Sequence, residues 1–170
     1  MPMIKINKKI KGFSLIETLV ATFVLATGLL AAASLIFYSI ESSMDSRNQV
    51  IAANLAQEGA ELVRNIRDNN DPSTPFANLG ANPGGCIDYA NSSALSSCSF
   101  QLNYDNSNHY QYGAGTPTKF FRKIIITAPD AKTLNVASLV SWNGSAPVDV
   151  ASCTIAKKCA QAVTQITSQN

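Results

Sequence analysis

From residue 13 to residue 40 the chain is apolar on every side that a helix would present. This stretch has no proline and a single charge, Glu17. A helix hydrophobic all round is buried in lipid or in the core of an assembly, and about 20 apolar residues suffice to cross a bilayer. Beyond residue 41 the pattern becomes one-sided. Met44, Ile51, Leu55, Leu62 and Ile66 recur at helical spacing, and Val63 widens the stripe. Glu61 with Arg64, and Arg64 with Asp68, stand at spacings that allow helix-surface ion pairs. One helix is predicted from Phe13 to Asn69, about 85 Å long at 1.5 Å per residue. Its first half suits a membrane, and its second half should project outward with its apolar face against the rest of the chain. Asn69-Asn70-Asp71-Pro72 ends it, since proline cannot continue a helix and pushes its predecessor towards extended geometry.

Residues 71–99 are rich in Gly, Pro, Asn and Ser and read as a long connection. Strand signals follow. Phe100–Tyr104 alternates, Lys119–Thr127 is rich in aromatic and β-branched residues, and Thr133–Trp142 follows a turn at Pro129-Asp130. Asn143-Gly144 is a hairpin signal leading into Pro147–Ser152. The expected fold class is α+β: a long N-terminal helix, transmembrane in its first half, packed on a small antiparallel sheet of three or four strands. The expected organisation is a leader at 1–12, an apolar helix half at 13–40, an amphipathic half at 41–70, a connection at 71–99, and the sheet with a C-terminal cysteine loop at 100–170.

Charge sharpens this picture. Lys5, Lys8, Lys9 and Lys11 precede the apolar run and would hold the N-terminus in the cytoplasm. They account for four of the thirteen Lys and Arg, whereas none of the eleven Asp and Glu precedes residue 13. Without the leader the formal charge changes from +2 to −2, so nothing global suggests a nucleic-acid binder. Glu17 is the residue that needs explaining. A carboxylate at the centre of a spanning helix costs roughly 2.5–3.5 kcal/mol on insertion scales and usually has a functional partner. A plain single-pass anchor has no use for it. A secretory signal peptide would have a shorter apolar region of roughly 7–15 residues.

Gly12-Phe13-Ser14-Leu15-Ile16-Glu17-Thr18-Leu19-Val20 resembles the class III signal of type IV pilins and pseudopilins. The resemblance implies the pilin fold, cleavage after Gly12, and methylation of the new Phe13 amine by prepilin peptidase. It further implies that Glu17 pairs with the N-terminal amine of a neighbouring subunit during assembly. The implied partners are the peptidase, other pilin subunits through the N-terminal helix, the inner-membrane assembly platform, and the membrane itself before assembly. The precursor would be a single-pass inner-membrane protein with a cytoplasmic N-terminus, and the product an extracellular or periplasmic filament. The run Phe121-Arg122-Lys123-Ile124 through Val140-Ser141-Trp142 also resembles PilV-like minor pilins, and Leu55–Arg64 resembles bacterial prepilin sequences. Many major pilins have a proline in the membrane half of this helix, and this chain has none there. The implied function is a minor pilin-like structural subunit of a type IV pilus. A pseudopilin of a type II secretion system shares the same residues, and an adhesin or DNA-capture pilin is the alternative of another class.

Cysteine usage agrees with export. Cys86, Cys98, Cys153 and Cys159 all lie beyond the apolar segment, and their even number suggests disulfides. Three pairings are possible. Pairing Cys86 with Cys98 and Cys153 with Cys159 is favoured because each closes a short loop. The spacings do not suit a zinc site. Lys157 and Lys158 would stand on the C-terminal loop, either exposed to water on a staple or available to anionic polymers. His109, the one histidine, reads as a surface or packing residue. Asn103, Asp105 and Asn108 offer oxygens, but no EF-hand pattern surrounds them. Asn91-Ser92-Ser93 and Asn143-Gly144-Ser145 match the glycosylation sequon. No nucleophile–base constellation and no phosphate-cradling loop stands out, so the expected role is assembly rather than catalysis, with no cofactor.

Overall fold

The computed structural model describes residues 12, 14–89, 95–105, 107 and 109–168. The chain forms two compact units, Met1–Met44 and Asp45–Asn170. Helix α1 runs Leu15–Asn69. In the first unit its large side chains, from Leu15 through Phe23, Leu30 and Phe37, are all exposed. This is what an apolar helix without a partner must show.

In the second unit α1 buries one face. That face is Asn48, Ala52, Leu55, Ala56, Gly59, Ala60, Val63 and Ile66. Its centre consists of small residues, which let the helix backbone approach the sheet closely. The stripe expected from large residues alone is therefore displaced. Ile51 and Leu62 flank the buried face, and Met44 is 58% exposed. The helix ends at Asn69 as Pro72 dictates. Asn70 then donates its side-chain amide to the carbonyls of Pro75 and Ala77, and Asp71 accepts from Ser73, so the turn that follows is well hydrogen-bonded.

The sheet has six strands: β1 (Asn82–Gly85), β2 (Gln101–Tyr104), β3 (Tyr110–Gln111), β4 (Thr116–Asp130), β5 (Thr133–Ser141) and β6 (Cys159–Thr167). Their order is β3-β2-β4-β5-β6, with β1 also paired to β4, and every pairing is antiparallel. The long strand β4 carries two partners on one edge: β2 opposite Thr116–Phe121 and β1 opposite Ile124–Ile126. Three or four strands were expected, and the difference has two sources. The Gly/Pro-rich connection supplies β1, where Gly85 lies so close against Leu95 that a Cβ would collide and Gly84 faces the flexible end of Lys123. At the other end, Pro147–Ser152 forms no strand. The chain turns at Asn143–Ser145, crosses irregularly, and pairs β6 with β5 along its whole length, from Ser141↔Cys159 to Thr133↔Thr167.

Two buried clusters join this sheet to the helix. One contains Val63, Ile66, Ile124, Ile126, Val136 and Ile166, the other Ala52, Leu55, Phe120, Val140 and Trp142. Each fully buried Val, Leu, Ile or Phe stabilises the fold by roughly 1.5–3 kcal/mol. A third, smaller cluster of Ala137, Leu139, Cys153 and Cys159 sits on the other face of β5.

Candidate assembly site and its support

The helix opens at Leu15. The Ser14 carbonyl accepts from the backbone N–H of Glu17 at 3.0 Å and of Thr18 at 3.2 Å, which starts the helical ladder. Gly12 is exposed, and Phe13 lies outside the described residues, as does the leader before Gly12. Glu17 occupies the first turn, where the partial positive charge of the helix N-terminus favours a carboxylate. The segment has a mean hydropathy of 2.3 over its most apolar 18 residues, none of them buried.

Most other polar side chains of this segment satisfy themselves within the helix. The hydroxyls of Thr18, Thr22, Thr27 and Ser34 donate back to the carbonyls of Leu15, Leu19, Phe23 and Ala31 at 2.8–3.1 Å. A carboxylate has no proton to donate in this way. Among the described residues no hydrogen bond or ion pair engages that of Glu17, which stands exposed on an apolar surface.

In the second unit, Cys86 is bonded to Cys98 and Cys153 to Cys159, with Cα–Cα separations of 6.1 and 5.0 Å. The second pair closes a loop built on a short 3-10 turn, Ile155–Lys157. Lys158 ends that turn in the left-handed conformation, φ 55° and ψ 49°, with its N–H on the Ile155 carbonyl. The two lysines of this loop therefore differ. Lys157 is exposed. Lys158 is half-buried, and its Nζ lies 3.2 Å from Asp45 Oδ2 on α1. Lys157 is the more exposed cation of the loop, and its charge acts on Asp149.

The side chain that ties the helix to the sheet is Arg122, on β4. It is fully buried. Its guanidinium donates to Glu58 Oε1 at 3.0 Å and the Leu55 carbonyl at 3.2 Å on α1, to the Ile87 carbonyl at 2.7 Å, and to Tyr112 Oη at 3.3 Å. Burial opposes its charge. Tyr112 and Glu58 outweigh that effect, so its pKa is raised and it stays protonated. Burial also pushes the Tyr112 phenol up, although Arg122 pulls the other way. Next to Glu58, a Cβ on Gly59 would fall 2.4 Å from Ser138 Oγ and 3.1 Å from Arg122 Cδ. The glycine is what allows this approach. The burial of Arg122 has a signal in the sequence, although no role for it is expected there. In Lys119–Thr127 the period of two places Arg122 on the same face as Phe120, Ile124 and Ile126.

The remaining candidates have local roles. Asp105 accepts from Tyr89 Oη at 2.6 Å and from the N–H groups of Ser107 and His109, and the Tyr89 bond first among these holds its carboxyl below the usual range. Asn103 donates to the Gly113 carbonyl, and Asn108 lies outside the described residues. The His109 ring lies against that of Tyr89 at a tilt of 47°, with 4.8 Å between ring centroids. The sequon at Asn91 lies outside the described residues. The one at Asn143 stands on an exposed turn.

One long apolar N-terminal helix with an antiparallel sheet of six strands is a pilin-like α+β architecture. Residues 7–33 match the family model described as the prokaryotic N-terminal methylation motif. The match contains Gly12, Phe13 and Glu17, and is consistent with the type IV pilin family. No curated protein and no solved structure matches the chain.

Proposed function

We propose that this chain is a minor pilin-like structural subunit of a type IV pilus. Prepilin peptidase cuts after Gly12 and methylates the Phe13 amine, and the subunit then enters a filament through its apolar helix. The observation that carries this reading is the methylation motif at residues 7–33, with Glu17 as the one charge on an otherwise apolar, exposed helix surface. The motif belongs to a family of structural subunits, which supports assembly rather than catalysis. After cleavage the Phe13 amine is a cation in a setting of low dielectric, and Glu17 is the anion available to it in a neighbouring copy. Two such charges attract strongly, but each loses hydration, so the pair sets register more than it adds stability.

The domains follow from the same reading. Residues 1–12 are the leader, 13–40 the membrane and filament-core helix, and 41–70 the helix half that carries the sheet. A secretion pseudopilin shares the motif, and a secretin encoded beside this chain would favour it. The adhesive or DNA-capture reading rests on Lys157 alone, now that Lys158 is engaged with Asp45. The test is the intact mass and N-terminal sequence of the protein expressed with its own peptidase. A chain beginning at Phe13 with one added methyl is expected. Retention of Met1–Gly12 under an active peptidase refutes the reading.

A further inference from the structure

Asn143 and Gly144 form the exposed tip of the turn that follows β5, and they are the one Asn-Gly pair in the sequence. We propose that Asn143 is a self-modification site, which converts to aspartate and isoaspartate through a cyclic imide, activated by Ser145. The backbone nitrogen of Gly144 attacks Asn143 Cγ and gives up its proton to solvent, forming the N–Cγ bond. The Cγ–Nδ2 bond breaks and the amide nitrogen leaves as ammonia, taking up a proton. Water then opens the imide at either carbonyl. Opening at the side-chain carbonyl gives aspartate, and opening at the backbone carbonyl gives isoaspartate. No electrons are exchanged and no reactant other than water is needed.

Three features of the turn favour the step. The nucleophile and the carbonyl are adjacent in one chain, so the reaction is intramolecular. Gly144 adopts φ +87° and has nothing within 4 Å of where a Cβ would stand, so no side chain and no neighbouring group crowds that side of the attacking residue. Among the described residues no backbone hydrogen bond holds its N–H. Finally, Asn143 Oδ1 already accepts two donors, the Ser145 N–H at 3.0 Å and the Ser145 hydroxyl at 2.9 Å. These point at the oxygen on which negative charge develops as the nitrogen attacks, which is how preorganised donors lower such a barrier.

The step has a local consequence. Asn143 Nδ2 donates to the Lys157 carbonyl at 3.3 Å, a tie between this turn and the cysteine-closed loop. A carboxylate cannot donate, so the product loses that tie and adds a negative charge beside Lys157.

The test is to age the full-length protein in detergent micelles at neutral and mildly alkaline pH, and to follow every asparagine by peptide mapping with isoaspartate detection. Expected is conversion at Asn143 severalfold faster than at any other asparagine, accelerating with pH, with isoaspartate among the products. In Ser145→Ala the rate should fall severalfold. Conversion at Asn143 no faster than elsewhere, or aspartate without isoaspartate, overturns the proposal. An unchanged rate in Ser145→Ala overturns the activation by Ser145.

Discussion

The two halves of α1 are equally helical and solve opposite problems. In Leu15–Met44 large apolar side chains cover every side and are all exposed, and up to Ile40 a lone carboxylate, Glu17, interrupts them. In Asp45–Asn69 half of the buried face is Ala and Gly, and the buried charge it meets, Arg122, is paired with Glu58. The first half is built to be covered by something other than this chain. The second half already has its cover. A charge therefore means different things in the two places. Arg122 is fully buried and has four partners within the fold, whereas Glu17 has none among the described residues.

That contrast predicts separable phenotypes. The largest effect on the fold is expected for Arg122→Ala. It removes a buried cation, leaves a cavity, and strands the Ile87 carbonyl. The loss should be about 3–5 kcal/mol, lowering the melting temperature by roughly 10–20 °C for a domain of this size. Cleavage after Gly12 should be unaffected. Arg122→Met should lose less, because it fills the volume without a charge. A melting temperature equal to wild type in Arg122→Ala would show that the arginine does not anchor the helix.

The Cys153–Cys159 bond should matter next. The loop it closes is short, so the double Ser variant should lose about 2 kcal/mol, read as a lower denaturant midpoint at an unchanged slope. Gly59→Ala comes third. Its Cβ meets Ser138 Oγ, an overpacking cost of about 1–3 kcal/mol, partly offset by the roughly 1 kcal/mol better helix propensity of alanine. Ser138→Ala in the same chain should recover most of the deficit, because it removes the colliding hydroxyl. Simple additivity of the two changes would contradict the contact.

The smallest effect concerns acidity at Asp105. Its folded pKa lies below the unfolded value, so its contribution is present above about pH 3.9 and is lost as pH falls through the folded pKa. Tyr89→Phe removes the leading cause of that shift. The Asp105 midpoint in an NMR titration should then move up towards the unfolded value, with little change elsewhere.

Much of this was legible in the sequence, for identifiable reasons. The helix, its end at Pro72 and the strands β4 and β5 announce themselves through long runs with a clear period. Glu17 is conspicuous because nothing around it is polar. Strand β6 was less visible. Cys159–Thr167 has modest hydrophobicity and faces solvent on alternate residues, while its pairing with β5 is decided by tertiary contact. Pro147–Ser152 was expected as a strand because a hairpin signal precedes it, but Ser141 and Asn143 both bond to Ser145, which closes the turn on itself. The expected helix stripe fails at Met44 because the buried face centres on the small residues Ala52, Ala56 and Gly59 rather than on large ones. Lys158 is expected beside Lys157 on the exposed loop. Its left-handed backbone, which turns it towards Asp45, has no signal in the residue type.

The most direct test of the role given to the first half is Glu17→Ala, measured as processing and filament incorporation in one strain. The expected result is a chain cut after Gly12 as efficiently as wild type, with a domain of unchanged melting temperature, and strongly reduced in purified filaments. Equal incorporation of mutant and wild type would contradict the pairing of Glu17 with a neighbouring N-terminus.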